Sequence, residues 1–233
     1  MSWLILDKNQ SKYSTKLSDV FLGDNLFMNM SYCQSRKELL ENIYEYCKND
    51  ILPAIDNDLN NSVACDKDVV ICGMEISEYK SYLRYLEVCI HLQALVQMWE
   101  QQIASTFMYS IGREKQIIST QGNSDITSFV NFKGIFILFD IDVTSWTLWQ
   151  KISDIRHIVN VIKHSMGKSL DTIKNIKPNI IFHEKQSNFD MVTFSYSSLL
   201  EENMDICESF DEYVGYLLCF WDEVPQRIEI LKN

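Results

Sequence analysis

The 233-residue chain, 46% hydrophobic and 23% charged, is long enough for one large or two small domains with a real core, and its composition is ordinary for a globular protein. A net charge of −11 is not the footprint of a free-standing nucleic-acid binder; any contact with RNA must be local, at a small cationic site, and the same charge suits a basic partner protein. No apolar run reaches transmembrane length, the first residues lack the pattern of a signal peptide, and the seven cysteines include no C-x-x-C pair, so the expectation is a cytoplasmic protein with reduced thiols, no membrane contact, no metal and no cofactor.

In chain order, residues 1–30 are weakly patterned, with Gly23 and Asn25 marking a turn. Ser35 and Glu38 have the spacing of a capping box and predict a helix from Lys37 to Asp50, amphipathic through Leu39, Leu40, Ile43, Tyr44 and Cys47. Pro53 fits a break or a new first turn, and the Asn/Asp-rich stretch 56–68 predicts a loop. From Ser77 to Tyr109 there is no Pro or Gly, and the pattern is one long helix, apolar on more than one side and so central to a bundle. The polar residues 116–125 predict another loop. Residues 127–142 form an apolar run that suits a buried strand or a buried helix; helical neighbours favour the helix. A helix from Ser145 to Met166 follows, then a short amphipathic segment closed by Pro178 and a small β-hairpin near 180–196. A last amphipathic helix runs from Ser197 to Val224, stopped by Pro225. The fold class expected is all-α: one mostly helical domain over 1–233, with residues 1–75 a helical extension of a core at 76–224.

The stretch Trp149 to Gly167 carries the densest polar constellation. On a helix at about 100° per residue, Ile152, Ile155, Ile158, Val159, Ile162 and Met166 fall in one arc, and Arg156, His157, Asn160, Lys163 and His164 in another. One face is built for burial; the other gathers two imidazoles, a guanidinium, an ammonium and an amide. Glu100, in the M-W-E-Q-Q stretch of the long helix, is a candidate partner for Arg156 or Lys163.

The segment D-I-R-H-I-V-N-V-I-K-H-S-M-G-K-S-L resembles the signature helix of HEPN-like proteins, a superfamily of helical bundles. Many of them are metal-independent ribonucleases of toxin–antitoxin and anti-phage systems. The chain is similar, over roughly residues 80–224, to a bacterial group sharing a W-E-Q-Q-like stretch, here Trp99 to Gln102, and an R-x-x-x-N-x-x-K-H helix, here Arg156 to His164. Seven residues separate Arg156 from His164, one more than the family's usual span. The resemblance implies a HEPN-like helical bundle, a homodimer with motif helices facing each other, and an endoribonuclease of a bacterial defence or toxin–antitoxin-type system. Cleaving RNA without a metal needs a base for the 2′-hydroxyl proton, an acid for the leaving oxygen and a cation against the developing phosphorane charge. The resemblance thus implies His164 as base or acid, Arg156 as a bidentate phosphate contact and Asn160 as the group that orients the histidine or binds a phosphate oxygen, with His157 and Lys163 adding positive potential. It also accommodates a non-enzymatic interaction subunit of a larger anti-phage effector.

In an arbitrary protein the same polar arc is a solvated helix face or a network locking two helices. By the same reasoning Trp99, His91, Tyr213, Tyr216, Phe220 and Trp221 are expected in core or packing roles. No phosphate-cradling glycine loop, H-E-x-x-H or nucleophile elbow is present, which disfavours nucleotide, zinc-hydrolase and serine-hydrolase chemistry.

Overall fold

A computed structural model describes residues 4–6, 30–62, 70–71, 74–111, 117–119, 132–134, 136, 141–164, 169, 171–172 and 206–232. Five helices dominate them: α1 (Met30–Tyr46), α2 (Leu52–Ser62), α3 (Ile76–Ile111), α4 (Thr147–His164) and α5 (Phe210–Lys232). A π-turn, Cys47–Ile51, joins α1 to α2, and a 3-10 turn, Val143–Ser145, precedes α4. Two short extended pairs accompany them: β1 (Leu4–Leu6) runs parallel to β4 (Ile117–Ser119), and β2 (Val70–Ile71) antiparallel to β3 (Met74–Glu75). The fold class is all-α. The hairpin expected near 180–196 lies outside the described residues.

Several boundaries differ from the sequence pattern. α1 starts at Met30, so Ser35 is an exposed residue inside the helix and not its cap. The first part of the expected 56–68 loop is helical in α2, where Arg84 Nη1 pairs with Asp56 Oδ2 at 2.9 Å; propensity is a weak prior that tertiary contacts override. Pro53 is the second residue of α2, but Tyr46 and Leu52 on either side of the π-turn are both in right-handed helical conformation, so the helical run is continuous from α1 and the proline follows the widened turn rather than a free helix start. Residues 132–134 and 136 are helical, the alternative favoured for that run. The last helix continues through Pro225 to Lys232. A mid-helix proline costs about 3 kcal/mol. Burial of Val224 and Pro225 offsets this, as does Arg227, whose guanidinium lies 4.3 Å from the centre of the Trp146 ring and pairs with Glu223.

The chain forms two compact units, and α1, α3, α4 and α5 each contribute residues to both. The first comprises residues 1–40, 97–151 and 216–233. Its core is aromatic: Phe220 lies edge-on to Trp99 at 5.0 Å and within 6.3 Å of Phe136, Trp146, Trp149 and Trp221. Phe107 extends the cluster to Phe132 and Phe136. Several polar groups beside these rings are bonded: Gln102 Nε2 donates to the Arg36 carbonyl, Thr106 Oγ1 to the Gln102 carbonyl, and the Tyr32 hydroxyl meets Thr106 Oγ1 at 2.9 Å; Gln102 Oε1 and Trp221 Nε1 are buried with no hydrogen-bond partner among the described residues.

The second unit comprises residues 41–96 and 152–215. Its core is aliphatic: Val88, Leu92, Leu95 and Val96 of α3, the isoleucines of α4, and Ile206, Phe210, Tyr213 and Val214. Tyr44, with its ring buried against Phe210, donates to Asp211 Oδ1 at 2.6 Å, and Lys48 Nζ reaches Asp211 Oδ2 at 2.6 Å. These bonds tie the end of α1 and the π-turn to the start of α5.

Because Trp99 is fully buried among rings, Trp99→Ala is expected to lower unfolding free energy by about 3–5 kcal/mol. Gln101→Ala, exposed on the same helix, is expected to stay within about 0.5 kcal/mol. Urea melts followed by far-UV circular dichroism distinguish the two; equal midpoints would remove Trp99 from the core.

Candidate functional site

α4 contains no Gly or Pro, and its entry is set by a local device. Asp142 accepts bonds from the Thr144 backbone N–H and hydroxyl, which closes the 3-10 turn, and Trp146 then takes an extended conformation before the helix begins. Along α4, Ile152, Ile155, Ile158 and Val159 are buried, and Ile162 is half-buried, as the apolar arc predicts. Val161, outside that arc, is buried too. At about 100° per residue the buried positions flank the polar arc on both sides, so the polar residues form a strip rather than an open half-cylinder.

That strip has a spacing the arc description missed. Trp149, Ser153, Arg156, Asn160 and Lys163 follow one another at intervals of 4, 3, 4 and 3, the spacing of a packing seam. Burial declines along it: Trp149 is buried, Ser153, Arg156 and Asn160 are half-buried, and Lys163 is exposed. A seam normally filled by apolar side chains thus carries a hydroxyl, a guanidinium, an amide and an ammonium. Ser153 is the residue that chemistry-led reading passed over; the 4-3 spacing is the signal that finds it.

His157 is half-buried beside this row, and its Nδ1 lies 3.3 Å from Ser169 Oγ. Burial chiefly, and the adjacent Arg156 charge next, hold its pKa below the ordinary 6.5, against a smaller opposing influence of Asp154. The ring is therefore neutral at pH 7. It does not supply the positive potential expected of it; a neutral imidazole is instead suited to accept a proton. Ser169 had no signal in the sequence, since its contact depends on how the chain returns after α4.

His164 is the last residue of α4, and its side chain lies outside the described residues. Glu100 is half-buried on α3 and belongs to the first unit, whereas Arg156, His157, Asn160, Lys163 and His164 belong to the second. The other histidine on a described helix, His91, bonds the Glu87 carbonyl one turn back at 2.9 Å, a packing role. Tyr213, Phe220 and Trp221 are buried, and Tyr216 is half-buried with Lys151 Nζ 5.9 Å from its ring centre.

Two other clusters are chemically quiet. Hydrogen bonds to Asp211 and Tyr44 raise Lys48, hydrogen bonds from the same network lower Asp211, and burial with the Asp211 bond raises Tyr44. All three stay in their ordinary protonation states at neutral pH, so the network clamps and does not transfer protons. Burial pushes the Cys33 and Cys89 thiols up to about 12 and Cys47 to about 11, which removes the thiolate that nucleophilic chemistry needs. No helix among the described residues is long and apolar enough to cross a membrane. Compared with family models, curated proteins and solved structures, the chain matches none.

A histidine titration followed by NMR is expected to place the His157 midpoint below 6.5. Arg156→Gln should raise it without restoring 6.5, because burial is the larger cause. The folded value lies below the unfolded one, so the associated stability is complete above pH 6.5 and declines as pH falls from there through the folded midpoint. His157→Gln should flatten that acid limb. A midpoint at or above 6.5 would contradict the burial argument.

Proposed function

We propose that the chain is a HEPN-like protein of a bacterial defence or toxin–antitoxin-type system, and that the polar seam of α4 binds RNA and cleaves it without a metal. The observation that carries this reading is the half-buried row Ser153, Arg156 and Asn160, ending in exposed Lys163 and flanked by His157. It is a local cationic strip on an acidic protein, the form an RNA contact must take at a net charge of −11. Arg156 grips a phosphate bidentately, and Lys163 draws the backbone toward the strip. A base takes the 2′-hydroxyl proton, the 2′-oxygen attacks phosphorus, and the 5′-oxygen leaves with a proton from an acid. The products are a 2′,3′-cyclic phosphate and a 5′-hydroxyl. His164 remains the residue of the motif for one of these roles, and neutral His157 is suited to the base.

A second reading, a non-enzymatic interaction subunit of a larger effector, is favoured by one observation: α1 leaves the apolar side chains of Leu39 and Tyr46 at 44% and 57% exposure. In either case a homodimer with facing motif helices remains part of the proposal.

Incubation of the purified chain with total RNA in EDTA tests the choice. Cleavage is expected, with losses of about 10²–10⁴-fold in Arg156→Ala and His164→Ala variants of unchanged circular dichroism. Intact RNA after incubation with folded wild-type protein would transfer the reading to the interaction subunit.

A further inference from the structure

We infer that the solvent face of α1 is a docking surface for a basic amphipathic helix of a partner protein. The inference rests on α1 alone and deepens the second reading above; the RNA proposal neither supports nor needs it.

α1 divides into three strips. Placed at about 100° per residue, Cys33, Leu40, Tyr44 and Cys47 fall within about 60° and form the buried side. Leu39, Ile43 and Tyr46, spaced i, i+4, i+7, fall within about 60° of one another next to it. Leu39 and Tyr46 are exposed and Ile43 is half-buried, so this is a second apolar stripe with no apolar cover among the described residues. Glu38, Glu41 and Glu45, spaced i, i+3, i+7, form the third strip, and all three are exposed. Asn42 and Ser35 lie between the apolar and acidic strips. A helix laid over them meets apolar side chains on one flank and carboxylates on the other.

The charge pattern identifies the occupant. The lysines of this region are already engaged, Lys37 with Asp222 at 2.8 Å and Lys48 with Asp211 at 2.6 Å. The acidic strip is therefore not balanced by them. In an antiparallel pairing of two copies each flank meets its own equivalent, and three glutamates would face three glutamates. In a parallel pairing the apolar stripe would face carboxylates. A second copy of the chain fits poorly either way. A helix with leucine-like residues on one flank and Lys or Arg on the other satisfies both strips.

The test uses the full chain and a labelled synthetic amphipathic helix of about 18 residues, long enough to hold helical structure, with Leu on one flank and Lys and Arg on the other. Fluorescence anisotropy is expected to show saturable binding that weakens with salt. Leu39→Ser with Tyr46→Ser should weaken it about tenfold or more. A triple variant, Glu38→Gln, Glu41→Gln and Glu45→Gln, should weaken it and abolish most of its salt dependence. All five substitutions are on exposed positions, and circular dichroism checks that the helix content is kept. Absence of binding, or equal binding by wild type and variants, would overturn the inference. So would sedimentation showing a dimer that the Leu39→Ser, Tyr46→Ser variant dissociates, because the stripe would then be taken by a second copy. These variants are expected to leave RNA cleavage unchanged, which keeps failure here separate from failure of the RNA proposal.

Discussion

Trp99 and Phe220 meet edge to face at 5.0 Å and 77°, and the first compact unit is assembled around that contact. Two aromatic rings at right angles gain roughly 0.5–1.5 kcal/mol beyond the area they bury. Here the pair is joined by Phe136, Trp146, Trp149 and Trp221. Large rings packed at interior density leave little tolerance for rotation of the helices that carry them. Trp149 sits in the first turn of α4, the part of that helix that belongs to the first unit.

α4 then carries out two tasks on one helical period. Its isoleucines and valines fill the aliphatic core of the second unit, while the seam that starts at Trp149 turns polar at Ser153. Half-burial matters to the chemistry in two ways. It strengthens the field of Arg156 relative to open solvent, and it lowers the proton affinity of His157. A fully solvated helix face does neither.

Much of the helical architecture was legible in the sequence. The long uninterrupted stretch that became α3 and the Ile/Val periodicity of α4 are strong signals, because each repeats over many turns. The apparent capping box at Ser35 misled, since an exposed serine inside a helix costs only about 0.5 kcal/mol relative to alanine, too little to force a helix start there. The acidic Asn-rich segment of α2 misled for another reason: its Asp56 is held by Arg84, a contact 28 residues away. Pro225 read as a stop, yet the side chains on both sides of it are held by burial and by the Arg227–Trp146 contact. At the candidate site, the residue types were legible and their electrostatics were not. The neutral state of His157 depends on burial, and its Ser169 contact depends on the path of the chain beyond α4; neither is written in local spacing.

The central claim is that the polar seam of α4 is a nucleic-acid contact and not a solvated helix face. Photo-crosslinking of the full chain to single-stranded RNA containing 4-thiouridine, with the attached peptides located by mass spectrometry, tests it directly. The account predicts that the dominant adducts fall within residues 153–164 and decline sharply when Arg156 and Lys163 are both replaced by Gln. Adducts confined to other segments, or unchanged by those replacements, would contradict it.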